Sequence, residues 1–184
     1  MIYKSKTFFF IAIYVKPMLL STATYAETPP FALEPCAAKV IDVYDADTCT
    51  VAVEVFPGRL ARFQVRIVGV DTPEMRPKRG SAHRDLEKQA AKRSRDALVE
   101  HLLGMPLPAG RITRARIRTL LGASERVVRL EPQGFDKYGR VLGDIKLSDG
   151  MSARDRLLGG GWARPYGGGT RTPWTEEALH AIIA

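Results

Sequence analysis

Acidic side chains gather at two places in the sequence where they could bind a metal ion. Asp45 and Asp47 lie in a predicted hairpin turn, and Asp71 and Glu74 directly follow a predicted strand. Carboxylate oxygens are the ligands that hard cations such as Ca²⁺ and Mg²⁺ prefer. Each cluster by itself is also typical of an ordinary turn, because Asp and Thr form turns readily. The acids therefore indicate a cation site only if the fold brings the two clusters together.

Two arginines could bind an anion beside such a cation. Arg140 ends the segment 136–140 (DKYGR) and alternates with the apolar residues of the strand that follows. Arg66 alternates in the same way with the apolar residues of its own strand, so both side chains are predicted to point away from the core. Two guanidinium groups next to a cation can bind a phosphate and stabilise its charge in a transition state. The segment 136–140 taken alone also fits a simple turn at Gly139.

The composition favours a single basic domain. The chain has 184 residues, with 28 Lys or Arg against 20 Asp or Glu, and a net charge of +8. Apolar residues make up 45% of it, which excludes disorder over the whole chain. Two cysteines are too few for a disulfide scaffold or a cysteine-built zinc site. The excess of basic residues favours an anionic partner, either nucleic acid or acidic lipid.

Residues 1–26 have the pattern of a signal peptide. Basic residues and no acids precede an apolar run at 7–15, and small residues lead to a predicted cleavage after Ala26. We therefore expect export to the periplasm or out of the cell. An uncleaved membrane anchor is the alternative, because Lys16 and Pro17 cut the apolar run short.

The remaining chain is predicted to consist of a Pro-rich leader, 27–37, and one domain, 38–184. The predicted signal peptide contains three of the 28 basic residues and none of the 20 acidic ones, so the chain keeps a net charge of +5 without it. We expect no stable membrane association after cleavage.

The two cysteines are predicted to stay unpaired, although an oxidising compartment would allow a disulfide. Cys49 should face about residue 43 across a hairpin, which leaves Cys36 several residues further along the ladder. That separation exceeds the Cα distance of roughly 4.4–6.8 Å that a disulfide needs. A buried thiol at Cys49 is the better interpretation.

Apolar alternation and helical periodicity predict an α+β fold. The predicted strands are 39–44, 48–55, 60–70, 127–130 and 141–147, and the predicted helices are 82–103, 151–158 and 173–183. The stretch 105–126 is rich in arginine and is compatible with either a strand or a helix. This order is typical of a five-stranded Greek-key β-barrel of the OB type with about three helices. Such barrels bind oligonucleotides on the face of their second and third strands, where Arg62 and Arg66 are predicted to lie.

Three blocks of the sequence together resemble the staphylococcal nuclease (thermonuclease) family. They are 40–48 (VIDVYDADT), 65–74 (VRIVGVDTPE) and 136–140 (DKYGR), in the family's order and with a predicted helix between the second and third. The resemblance covers about residues 38–166. Ala46 departs from the glycine that is common between the two acids, and the stretch 105–126 is longer than the family pattern requires.

The resemblance implies a calcium site and a catalytic carboxylate. Asp47 and Asp71 would bind Ca²⁺ directly, and the backbone carbonyl of Thr72 would be a further ligand. Asp45 would support the site through water. Glu74 would act as the general base or orient the attacking water.

The resemblance also implies a set of substrate-binding residues. Arg66 and Arg140 would bind the phosphate during catalysis. Lys137 and Tyr138 would contact the nucleotide, and Tyr166 lies near the position of a tyrosine that stacks on a base.

The function that the resemblance implies is Ca²⁺-dependent, sequence-nonspecific hydrolysis of DNA and also RNA. Unpaired strands would be preferred, and the products would carry 3′-phosphate and 5′-hydroxyl ends. The alternative is a catalytically inactive OB-fold module that binds nucleic acid, but the presence of the implied acids and arginines favours the enzyme. A third hypothesis is a basic peripheral membrane protein. It would require a basic amphipathic helix with exposed aromatic residues, and the sequence after residue 26 shows no such pattern. The sequence indicates no obligate protein partner.

Overall fold

The computed structural model of the protein describes residues 20–184. Leu33–Ala184 form one compact unit, and the described residues up to Ala32, which include a 3-10 turn at Leu20–Thr22, form a separate one. Most of the predicted signal peptide (1–26), and with it the alternative of an uncleaved anchor, lies outside the described residues. None of the helices within residues 20–184 combines the length and the hydropathy of a membrane-spanning segment.

Seven β-strands lie within residues 20–184, and five of them close into a barrel. The order around the barrel is β1-β2-β3-β6-β5, in which β3 and β6 run parallel and the other neighbours antiparallel. The remaining two, β4 and β7, pair with each other in a short ribbon. In chain order the strands are β1 (Cys36–Asp45), β2 (Thr48–Phe56), β3 (Arg59–Ile67), β4 (Val70–Asp71), β5 (Val128–Phe135), β6 (Val141–Lys146) and β7 (Arg164–Pro165). The predicted α+β architecture with an OB-type five-stranded barrel is confirmed.

Four α-helices accompany the barrel in the described part of the chain, against about three predicted. They are α1 (Arg84–Leu103), α2 (Arg114–Ala123), α3 (Ala153–Gly159) and α4 (Glu176–Ile183). The additional helix, α2, lies in the stretch 105–126 that the sequence left open. It begins where the Thr113 hydroxyl accepts a hydrogen bond from the Arg116 N–H at 3.2 Å. The start predicted for the last helix at 173 is wrong, because Thr175 caps that helix and it begins three residues later than predicted, at Glu176.

The barrel interior is filled by the apolar faces of its strands together with α1. Val43, Val51, Val65 and Ile145 are fully buried there, as is Leu98 from the helix. Burying each such side chain contributes about 1.5–3 kcal/mol. This single core holds the strand ends in fixed positions, and the charged residues described below project from those ends.

Both cysteines are free, as predicted. Cys49 pairs with Val43 across the β1–β2 hairpin and is buried, whereas Cys36 pairs with Leu130 of β5 at the far end of β1. Burial raises the pKa of the Cys49 thiol to about 12, so this side chain is an inert part of the core.

The strand register gathers three distant chain segments at one end of the barrel. Thr48 at the start of β2 pairs with Arg66 near the end of β3. The carbonyl of Asp47 accepts a hydrogen bond from the Ile67 N–H at 2.9 Å, which fixes the β1–β2 turn against β3. Directly after β3, the pairing of β4 with β7 adds Asp71 and the C-terminal segment to the same end.

Candidate functional site

The two acidic clusters of the sequence meet in the structure, as the predicted cation site requires. The side chain of Arg171 joins them: its Nε lies 3.1 Å from Asp71 Oδ1, and its Nη2 lies 3.7 Å from Asp47 Oδ2. Its Nη1 contacts Glu74 Oε1. Residues from the β1–β2 turn, from β4 and from the loop after β4 therefore form one acidic group, and Asp45 lies beside it in the same turn.

A cavity of about 510 Å³ opens over this acidic group. Its walls combine acids and arginines with polar side chains of β2 and with one aromatic ring. The charged and aromatic lining residues are Tyr44, Asp45, Asp47, Glu74, Arg76, Arg114, Arg140 and Arg171. Such a cavity is chemically suited to an anion that is bound together with a cation.

Burial within the acidic group shifts the protonation of Asp45. Asp45, Asp47 and Asp71 are 7%, 3% and 1% exposed. Burial, followed by the nearby charge of Asp47, raises the pKa of Asp45 to about 8. Without a cation Asp45 is therefore largely protonated at neutral pH, and the cluster carries fewer negative charges than its carboxylates could supply.

Asp45 is expected to make the stability of the protein depend on pH in the presence of a chelator. The folded protein keeps a proton on Asp45 that the unfolded chain releases, so the free energy of unfolding should fall as pH rises from about 4 towards 8. One such group contributes a slope of at most about 1.4 kcal/mol per pH unit. Denaturant unfolding at several pH values in this range should show a flatter profile for Asp45→Asn than for the wild type. Identical profiles would contradict the raised pKa.

The predicted phosphate-binding residue Arg66 lies mainly within the protein. Its guanidinium is buried, with Nη1 3.0 Å from Asp47 Oδ2. It also donates hydrogen bonds to the carbonyls of Ile67 and Val70, both at 2.7 Å. The side chain points away from the core face, as predicted. The backbone between the end of β3 and β4, residues 67–70, covers it. In this arrangement Arg66 anchors the acidic turn to the end of β3.

Arg140 is placed differently, because it lines the cavity and stays partly exposed. Its Nε donates to Asp136 Oδ2 at 2.7 Å, and Asp136 Oδ1 also accepts the backbone N–H groups of Tyr138 and Arg140. This turn orients the guanidinium at the start of β6. Among residues 20–184 neither of its Nη groups has a hydrogen-bond partner, so both can donate to an anion.

Two of the predicted nucleotide-contacting residues, Lys137 and Tyr138, lie in this turn, and the third, Tyr166, directly precedes the glycine-rich stretch 167–169. Tyr138 is 73% exposed, and Lys137 Nζ and the Arg140 guanidinium lie 5.1 and 5.7 Å from its ring centre. Tyr166 is half-buried, and its hydroxyl donates to the Gly169 carbonyl at 2.6 Å. An exposed ring surrounded by cations, as at Tyr138, is suited to stacking on a base. Thr72, the predicted carbonyl ligand, is buried directly after Asp71.

Sequence reasoning did not identify Arg164 and Arg171 as site residues. Arg164 donates from Nε and Nη2 to Asp71 Oδ2, at 3.0 and 2.7 Å. Both arginines come from the segment that contains β7 and the glycine-rich stretch 167–169, far from the acids in sequence. The only available signal was the presence of basic residues around those glycines.

A second group of charges, also not identified from the sequence, adjoins the cavity. Asp42 in β1 accepts hydrogen bonds from Arg114 at 3.0 and 2.5 Å and from Arg118 at 2.7 Å. Burial alone would raise the pKa of Asp42, but these hydrogen bonds outweigh it and lower the pKa. The Arg114 guanidinium also lies 5.0 Å from the centre of the Tyr44 ring. The helix α2 thereby adds positive charge to the rim of the cavity.

No protein-family model matches this chain, and no curated protein does either. Whether a cation fits the site therefore depends on the oxygen atoms that the site itself provides.

The donor set is compatible with a hard cation. Within residues 20–184, no three His, Cys, Asp or Glu side chains are arranged to hold a metal ion by themselves. The predicted ligand set needs only the carboxylates of Asp47 and Asp71 together with the carbonyl of Thr72. Asp45 Oδ1 and Asp71 Oδ1 are buried and accept no hydrogen bond from any described residue. Buried oxygens of this kind need a compensating charge, which the proton on Asp45 and the Arg171 guanidinium, 3.1 Å from Asp71 Oδ1, supply here. Ca²⁺ prefers such oxygen ligands, so the residues present fit a Ca²⁺ ion that takes the place of the proton and the guanidinium.

Proposed function

We propose that this protein is a Ca²⁺-dependent nuclease that hydrolyses phosphodiester bonds without sequence specificity. One observation carries the proposal: the buried acids Asp45 and Asp47, the more exposed Glu74 and several arginines line a single cavity at one end of an OB-type barrel, and one of those arginines, Arg171, also contacts buried Asp71. The resemblance of three sequence blocks to the thermonuclease family supports it. DNA and RNA are the proposed substrates, and unpaired strands are preferred because exposed Tyr138 offers a surface for stacking.

The proposed cation-binding residues are Asp47, Asp71 and the carbonyl of Thr72, with Asp45 in support. Ca²⁺ bound there would act as a Lewis acid that withdraws charge from the phosphate. In this proposal Arg66 holds Asp47 in position, because its donors are directed to Asp47 and to backbone carbonyls. A direct contact of Arg66 with the phosphate stays a prediction.

Glu74 and Arg140 are the proposed catalytic residues. The Glu74 side chain is 42% exposed, so water can reach its carboxylate and lose a proton to it. The oxygen of that water forms the new bond to phosphorus, and the bond from phosphorus to the 5′-oxygen breaks. The leaving 5′-oxygen takes a proton from solvent water and becomes the 5′-hydroxyl. Arg140 stabilises the additional negative charge on the phosphate oxygens. The products are a 3′-phosphate and a 5′-hydroxyl end.

The alternative function is a nucleic-acid-binding module without catalysis. The observation that favours it is the pairing of Asp47, Asp71 and Glu74 with arginines, which takes up the oxygens that a cation would need.

Export from the cytoplasm is also part of the proposal, on the basis of the signal-peptide pattern in residues 1–26.

Incubation of the purified full-length protein with a labelled single-stranded oligonucleotide tests the proposal. We expect cleavage in Ca²⁺, none with excess chelator, and 3′-phosphate ends that mass spectrometry identifies. Anisotropy measurements on the same oligonucleotide report binding separately. Binding without cleavage in Ca²⁺ or Mg²⁺ would refute the nuclease and establish the binding module.

A further inference from the structure

Arg171 is placed as a cation inside the acidic group. Its guanidinium contacts oxygens of Asp47, Asp71 and Glu74 at the same time. Two of these residues are the proposed Ca²⁺ ligands, and the third is the proposed general base. A guanidinium in this position offsets the mutual repulsion of the carboxylates when no metal is bound.

The segment that carries Arg171 is attached to the site at both ends. On one side, Tyr166 donates its N–H to the Gly69 carbonyl at 3.0 Å and its hydroxyl to the Gly169 carbonyl. On the other side, Arg164 donates to the carbonyls of Thr172 and Pro173 while it also holds Asp71. The attachments leave the Arg171 side chain itself 37% exposed, so it can leave the acids without unfolding the loop.

The contacts of Arg171 involve the same oxygens that a metal ion would use. Asp71 Oδ1 accepts no hydrogen bond, and the ion pair with Arg171 is its compensating charge. Asp71 Oδ2 is already held by Arg164, and Asp47 Oδ2 is shared between Arg66 and Arg171. A metal ion that binds Asp71 Oδ1 must therefore replace the Arg171 guanidinium, since two cations cannot share that position without strong repulsion.

We propose that Arg171 is an internal competitor of Ca²⁺: it occupies the acidic group in the metal-free protein and must leave when the ion binds. The inference rests on the cation site of the proposed function and adds a residue that sets its affinity. It has two opposite consequences. Arg171 weakens Ca²⁺ binding, and it stabilises the protein in the absence of Ca²⁺. It also keeps Glu74 paired until the ion has bound.

Calorimetric titration of Ca²⁺ into the chelator-stripped full-length protein tests the inference directly. We expect Arg171→Gln to bind Ca²⁺ roughly 10-fold more tightly than the wild type, because one competing positive charge is gone. Arg171→Lys, which keeps the charge, should stay closer to the wild type. Thermal unfolding should show a lower melting temperature for Arg171→Gln in chelator, and a larger increase in that temperature on adding Ca²⁺.

Arg156→Gln is the matched control. Arg156 is 36% exposed, pairs with Asp149 at 2.5 Å and does not line the cavity over the acidic group. The Arg156→Gln variant should lose the same amount of stability in the presence and in the absence of Ca²⁺, and its Ca²⁺ affinity should equal that of the wild type. Equal or weaker Ca²⁺ binding by Arg171→Gln, with the wild type still binding and cleaving, overturns the role of Arg171 alone. Absence of Ca²⁺ binding in both proteins overturns the cation site and the inference together.

Discussion

Replacement of Glu74 by Gln is expected to lower the rate of phosphodiester cleavage by about 10²–10⁴-fold, the usual contribution of a general base. The amide keeps the size of the side chain and its place in the cavity, but it cannot accept a proton from water. Binding of the oligonucleotide should change little, because Glu74 does not attract the phosphate. Single-turnover cleavage with saturating Ca²⁺ measures the chemical step, and anisotropy measures binding under the same conditions.

Glu131→Gln provides the control for this experiment. Glu131 lies in β5, pairs with Arg129 at 3.7 Å and does not line the cavity, so its loss should leave cleavage unchanged. If Glu74→Gln cleaves as fast as Glu131→Gln, Glu74 does not take the proton from water.

The second large effect is expected at Arg140, whose replacement by Ala should reduce cleavage by about 10²–10³-fold. Arg140 lines the cavity with a guanidinium that is directed by Asp136, and it can donate two hydrogen bonds to a phosphate. Lys should restore only part of the rate, because an ammonium group lacks the planar pair of donors. Cleavage rates for the three proteins at one Ca²⁺ concentration, together with their melting temperatures, separate catalysis from folding.

Arg129→Ala removes the same charge from the neighbouring strand and is the matched control. Its side chain is 61% exposed, and within the described part of the chain its only ion pair is with Glu131. If only the total positive charge mattered, the cleavage rate would fall equally in both variants. The proposed phosphate contact instead predicts a large fall in the cleavage rate for Arg140→Ala only.

The barrel could be predicted from the sequence because its strands obey local rules. Val51 and Val53 alternate along β2 with the smaller or polar residues Thr50, Ala52 and Glu54, and both valines are buried as that alternation requires. The strand register also predicted that the two cysteines stay unpaired, because it places Cys49 opposite Val43 and away from Cys36. A small barrel could bring Asp47 and Asp71 together because both positions follow strand ends, but the sequence left this open, and the structure shows both in contact with Arg171.

The surroundings of Arg66 and the role of Arg171 could not be predicted in the same way. Alternation gives the direction of the Arg66 side chain, but its enclosure depends on the Val70 carbonyl turning back towards it. Arg171 reaches the acids through a glycine-rich loop, and Gly168 and Gly169 adopt positive φ angles of 97° and 88° there. No periodicity extends through such a loop, so long-range contacts of this kind become visible only in three dimensions.

The way in which the barrel closes also determines when the candidate site can be complete during synthesis of the chain. Closure depends on the pairing of β1 with β5 and of β3 with β6, which joins residues 36–38 to 128–130 and 65–67 to 141–143. Contacts between such distant parts of the chain form late and slowly, whereas the β1–β2–β3 meander can form from neighbouring residues. A chain that stops before β5 holds most of the acids but lacks Arg140, Arg164 and Arg171. The complete charge arrangement therefore assembles only after nearly the whole polypeptide has been made.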